Sequence, residues 1–245
     1  MKKRIDILDL WRTVAIVCMA AYHLLYDLAI FGFLGWGAMF SPGLNAFERF
    51  ICCSFILLSG ISSRFSRSNV RRGLITFGCA LLVSLAGYVT GEPIWFGILH
   101  FLGCAMLLYG LLGKFFERVP KIAAPILWLA LFFLTKYWTD NTLVGVGFLF
   151  PLGFRAANFV SADYFPLFPW FFLFLLGAWA GGALLELRDT GGLKFLGLKP
   201  RETARRVFDL RVPKALTWPG RHSLVIYMLH QPILYGLVWL IARGG

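Results

Sequence analysis

The chain is 245 residues long, 59% hydrophobic and 17% aromatic, with 15% charged residues and a mean hydropathy of +0.73. That composition excludes an ordinary water-soluble globular domain, and the length suits one bundle of membrane spans over 1–245 with no separate soluble domain. The formal net charge of +12 is read as topology and lipid contact, not as a nucleic-acid signature.

Apolar segments of helical length run over 7–32, 44–63, 70–90, 94–113, 121–138, 166–187 and 222–242. They predict an all-α, polytopic integral membrane helix bundle of about seven transmembrane helices. A further run over 142–154 is short and broken by Gly145, Gly147, Pro151 and Gly153, so it is expected to be re-entrant or interfacial.

The first segment starts like a signal peptide, but Asp6, Asp9 and Arg12 interrupt it and its apolar pattern runs past residue 28, so cleavage is not expected. It also holds the most unusual polar set of the chain: Asp9, Arg12, His23 and Asp27. Ionisable groups inside a span are costly and mark function. Eleven steps of roughly 100° bring His23 back to the helix face of Arg12, about 16 Å along the axis. Asp27, one turn beyond His23, shares that face. Two readings stay open for each: Arg12 holds a ligand or merely pairs with Asp9, and His23 is a reactive base or a bundle histidine satisfied by Asp27.

Further along, Glu48 and Arg49 open the second span, and Arg64, Arg71 and Arg72 line the loop after it. His100 lies seven residues after Pro93, and His230 lies about as deep in the last span, so His23, His100 and His230 share the middle of the bilayer by depth. His222 reads as surface. The cysteines Cys18, Cys52, Cys53, Cys79 and Cys104 lie in apolar segments without ligand spacing, so neither a disulfide framework nor a metal site is expected. Gly177 and Gly181 form a G-x-x-x-G, read as a close helix contact.

Nineteen Lys and Arg residues fall in the loops 2–4, 64–72, 114–121 and 188–221, against Lys136, Arg155 and Arg243 on the other side. The positive-inside rule then puts the N-terminus in the cytoplasm and the C-terminus outside, in the inner (plasma) membrane. Making 142–154 an eighth span would throw the most basic loop outward.

These residues carry a family resemblance. Arg12 and His23 match the R-x10-H pattern of the acyltransferase-3 membrane proteins. RIDILDLWR (4–12) followed by His23 and Asp27 more closely resembles the first helix of bacterial relatives of heparan-alpha-glucosaminide N-acetyltransferase. FILLSGISSRFSR (55–67), FGILHFLG (96–103), FPLFPWFFLFLLG (165–177) and GRHSLVIYMLHQPIL (220–234) resemble later segments of that family, in order. The resemblance covers essentially the whole chain. It implies transfer of an acyl group from a cytosolic thioester, usually acetyl-CoA, to a sugar amine or hydroxyl across or within the membrane, and the acyltransferase-3 pattern implies His23 as its catalytic histidine.

The residue chemistry fits. Acyl transfer needs a base that works near neutral pH, which imidazole supplies, and a carboxylate one turn away can orient it. His23 could take that role with Asp27, or be acylated itself in a two-step route; His230 and His100 are the other catalytic candidates. Arg12 with Asp9, and Arg64 with Arg71 or Arg72, are the candidate holders of the CoA phosphates. The expected partners are acyl-CoA, a saccharide or glycolipid acceptor and lipid, with no nucleic acid; homo-oligomerisation is left open. A proton-coupled transporter is the alternative, since mid-membrane His and Asp also build proton relays, although the two halves show no internal symmetry.

Overall fold

The computed structural model describes residues 5–197, 208 and 210–244. Lys2, Lys3, Arg4, Lys199, Arg201, Arg205 and Arg206, part of the basic set used for orientation, lie outside the described residues. Every expected span folds as a helix: α1 (Asp6–Ile30), α3 (Pro42–Ser63), α4 (Asn69–Thr90), α5 (Ile98–Phe116), α6 (Ala124–Asn141), α7 (Leu167–Thr190) and α9 (Ser223–Gly244). Two short helices were not expected, α2 (Trp36–Met39) and α8 (Lys214–Arg221). Among the described residues there is no β-strand, only an isolated bridge between Leu143 and Arg155.

Six of these helices are long and apolar enough to cross a membrane. The protein is a polytopic membrane helix bundle. The helix on the 121–138 segment, α6, is not among the six: its last turns carry the Lys136–Asp140 ion pair (2.6 Å) and Asn141, which dilute its apolar run. Large apolar side chains such as Val17, Leu82, Leu111, Phe133 and Leu240 point outward. An apolar exterior of this kind is stable against lipid and not against water.

The helix ends follow local chemistry. Ser68 caps α4 by accepting from the Arg71 backbone N–H at 3.2 Å, and Gly91 ends that helix with φ +81°, a left-handed conformation that costs glycine nothing. The 142–154 stretch forms no spanning helix but a 3-10 turn, Gly147–Leu152. Tyr164 ties it down by donating to the Phe150 carbonyl at 2.6 Å, and burial pushes that phenol up to about 12, so the donor keeps its proton at any ordinary pH.

The chain divides into two compact units. The first comprises 1–55 and 206–245, hence α1, α2, the start of α3, α8 and α9; the second comprises 56–205. In the first unit, the amide of Gly220 on α8 donates to Thr13 Oγ1 at 2.9 Å, and Thr13 donates to the Asp9 carbonyl at 3.1 Å. A Cβ at Gly220 would overlap that same carbonyl oxygen, so only glycine lets α8 rest on the first turns of α1. In the second unit, Gly177 and Gly181 bring α7 onto the backbone of Leu57 and Ile61, the close approach the G-x-x-x-G spacing predicts.

Candidate functional site

The first unit gathers the polar side chains of α1 and α9. The rings of His23 and His230 meet edge-to-face, with centroids 4.9 Å apart. His230 Nδ1 lies 2.6 Å from the Tyr227 carbonyl oxygen. A carbonyl only accepts, so Nδ1 carries the proton and Nε2 carries the lone pair. That Nε2 is buried and has no hydrogen-bond partner among the described residues. Pro232 supports the local geometry, because it has no N–H for the Met228 carbonyl and so interrupts the helix ladder beside His230.

Asp27 is fully buried one turn above His23. Its Oδ1 accepts from Gln231 Nε2 at 2.8 Å, and its Oδ2 has no hydrogen-bond partner among the described residues. The carboxylate is therefore bound to α9 and makes no hydrogen bond to His23 itself. Tyr22 flanks the pair, with its ring 6.1 Å from that of His23. The site is a pair of imidazoles next to a carboxylate–amide pair, all within a helix bundle.

At the start of α1, Asp9 is 5% exposed and each of its oxygens meets an arginine: Oδ1 takes Arg12 Nη1 at 2.6 Å and Oδ2 takes Arg221 Nε at 3.2 Å. Arg221 Nη2 also meets Asp6 at 3.1 Å. The pairing of Arg12 with Asp9 foreseen from their spacing is thus present, and a second guanidinium joins it.

The remaining sequence candidates belong to the second unit. His100 is 7% exposed, between the rings of Phe77 and Phe96. Ser84 donates to the Ile94 carbonyl at 2.6 Å, so at 3.3 Å from His100 Nε2 it can only accept; the Nε2 proton of His100 is engaged there. Arg64 donates through Nη1 to Tyr109 and Glu117. Arg72 reaches the Ser62 carbonyl at 3.5 Å, and the Arg71 side chain is exposed.

The sequence candidates missed three participants. Gln231 and Tyr227 lie in the quoted GRHSLVIYMLHQPIL segment, where an amide and a phenol look like ordinary helix residues. Arg221 was counted as a topology charge. Only the pairing of α1 with α8 and α9 reveals their roles.

Comparison with curated proteins and with solved structures gives no match. The family described as "Heparan-alpha-glucosaminide N-acetyltransferase, catalytic" matches residues 4–232. That stretch runs through both units and contains His23, Asp27, His100, His230 and Gln231, and by it the chain belongs to the heparan-alpha-glucosaminide N-acetyltransferase catalytic family.

Proposed function

We propose that the protein is a membrane acetyltransferase of the inner (plasma) membrane that moves an acyl group, an acetyl group in the first instance, from cytosolic acyl-CoA to an amine or hydroxyl of a saccharide or glycoconjugate. The whole chain acts as a single transmembrane acyltransferase domain. The observation that carries this reading is the His23–His230 contact, with an unpartnered imidazole nitrogen on His230.

In this reading His23, assisted by His230, takes the proton from the acceptor amine or hydroxyl as that group attacks the thioester carbonyl carbon. The carbon–sulfur bond breaks, and the imidazolium returns the proton to the departing thiolate, giving CoA thiol and the acylated acceptor. The two-step variant begins with imidazole attack on the thioester and passes the acyl group on from nitrogen. Asp27 and Gln231 fix α1 against α9, which holds the two rings in contact. Arg12, held by Asp9, supplies a guanidinium group for a phosphate of the donor, and Arg64, Arg71 and Arg72 are the separate phosphate-holding candidates of the second unit.

The test is direct. Purified protein supplied with acetyl-CoA and glucosamine should release free thiol and form N- or O-acetylated sugar. Absence of thiol release with every amino sugar and glycolipid offered overturns the proposal.

A further inference from the structure

We propose that Glu48 is a further acceptor-binding residue of the first unit: its carboxylate holds the acceptor as an ammonium group and takes the proton that a primary amine must shed before it can attack. The proposal rests on the acceptor reading given above and narrows it to amino acceptors.

Ring contacts place Glu48. The Tyr22 ring of α1 lies 6.5 Å from that of Phe47, near the start of α3, and 6.1 Å from that of His23. Further down α3, the Phe55 ring lies 6.5 Å from that of Tyr227 on α9, whose ring is in turn 5.4 Å from that of His230. Phe47 thus marks the face of α3 that meets α1, and Phe55 the face that meets α9. Glu48 precedes Phe55 by close to two full turns, so it lies on nearly the same face, one step round from Phe47. Tyr22 and Phe47 directly precede His23 and Glu48, so those two stand at one depth, each about 10 Å from the neighbouring helix end at Ile30 or Pro42. The carboxylate therefore looks into the space between α1, α3 and α9 that the histidine pair occupies.

Glu48 is close enough to Tyr22 for its charge to act on the phenol, yet the two make no hydrogen bond, and neither has another such partner among the described residues. The neighbouring cation, Arg49, projects about 100° round the helix and is not in ion-pair contact with it. An ionisable side chain left without a partner inside a span marks a functional site. Tyr22, His23 and Glu48 are half-buried, whereas Asp27 Oδ2 and His230 Nε2 are enclosed, so an incoming acceptor meets the first three.

A primary amine is an ammonium group near neutral pH, with three hydrogens to donate and nothing to accept with. A carboxylate, a phenol oxygen and an imidazole nitrogen are suitable partners for it. To become an amide, the nitrogen loses two protons. Glu48 takes the first, which frees the lone pair to attack the thioester carbonyl carbon. As the carbon–nitrogen bond forms and the carbon–sulfur bond breaks, His23 takes the second and returns it to the thiolate. The Glu48 proton then leaves to water. A hydroxyl acceptor sheds only one proton and has no use for Glu48.

The experiment compares glucosamine with glucose as acceptors for the full chain in phosphatidylcholine nanodiscs, reading thiol release from acetyl-CoA, sugar binding by calorimetry and thermal unfolding. Glu48→Gln keeps the shape and removes the charge, which a span tolerates better than a carboxylate, so the variant folds. Its kcat/KM for glucosamine should fall about tenfold or more relative to that for glucose, and glucosamine should bind correspondingly more weakly. Glu48→Asp should keep part of the preference. Glu48→Ala, which leaves room beside Tyr22, should regain amine transfer with added formate. The proposal is overturned if Glu48→Gln loses both acceptors equally, if it loses neither, or if formate restores nothing. Glu48-dependent glucosamine binding without any thiol release sinks the transfer reading alone; transfer to glucosamine that is indifferent to Glu48 sinks this site alone.

Discussion

The amide of Gln231 reaches Asp27 Oδ1 at 2.8 Å, so the carboxylate one turn beyond His23 is tied to the last helix and not to the imidazole. Gln231→Leu removes that donor and leaves both oxygens of a fully buried carboxyl without partners. The expected cost is about 1–3 kcal/mol of stability, with a drop in turnover as the histidine rings lose their register. Leucine at both Asp27 and Gln231 should restore stability but not turnover. Thermal unfolding and acetyl transfer measured across that four-member cycle check it; full additivity of the two single changes would mean the bond contributes nothing.

His23→Ala and His230→Ala should each slow acetyl transfer about 100-fold or more while donor binding stays close to normal, because the loss falls on proton transfer in the transition state. Steady-state rates beside CoA affinity separate the two quantities. Near-normal turnover in His23→Ala would move the base to His230 or His100.

Arg12 carries two roles that make opposite predictions. As a donor anchor, Arg12→Lys should weaken CoA binding partially and Arg12→Ala more, since lysine keeps charge without the planar fork. As a partner of Asp9 only, Arg12→Ala should lower stability, Asp9→Ala with Arg12→Ala should recover it, and CoA affinity should not move. Unchanged affinity in folded Arg12→Ala would falsify the anchor.

Much of the bundle can be read from apolar run length alone, because a membrane span imposes one length and one polarity on its sequence. The helix over 121–138 shows where that rule weakens. Its apolar core suffices for a helix, but Lys136, Asp140 and Asn141 give it a polar end. Of the candidate site, the part that helix periodicity alone gives is the shared face of Arg12, His23 and Asp27 on α1. The partner of Asp27 was not legible, because a neighbouring imidazole at helical spacing and a glutamine 204 positions away compete for the same carboxylate, and only packing decides between them.

Gly220→Ala should destabilise the first unit by about 1–3 kcal/mol, because the added methyl meets the Asp9 carbonyl and α8 must lift from α1. Thr13→Val, which deletes only the hydroxyl between Gly220 and Asp9, should cost about 1 kcal/mol. Thermal shift of the two variants ranks them, and a silent Gly220→Ala would show that the contact yields easily.

The nineteen-to-three division of basic loops predicts an N-terminus inside and a C-terminus outside. Reporter fusions after Gly245 and within 190–215 should report opposite sides of the membrane. Both on one side would remove one crossing from the expected seven.

The first unit is made from the two ends of the chain, with the second unit inserted between them. A ribosome releases α1 into the membrane well before α9, so Asp27 is synthesised 204 residues before the amide that binds it. Until then α1 holds a carboxyl and an imidazole in lipid without their native neighbours, a state that favours any surrogate able to shield them. The histidine pair therefore forms only once α9 has been made, and a chain that stops short of α9 keeps most of its helices but lacks the contact between His23 and His230.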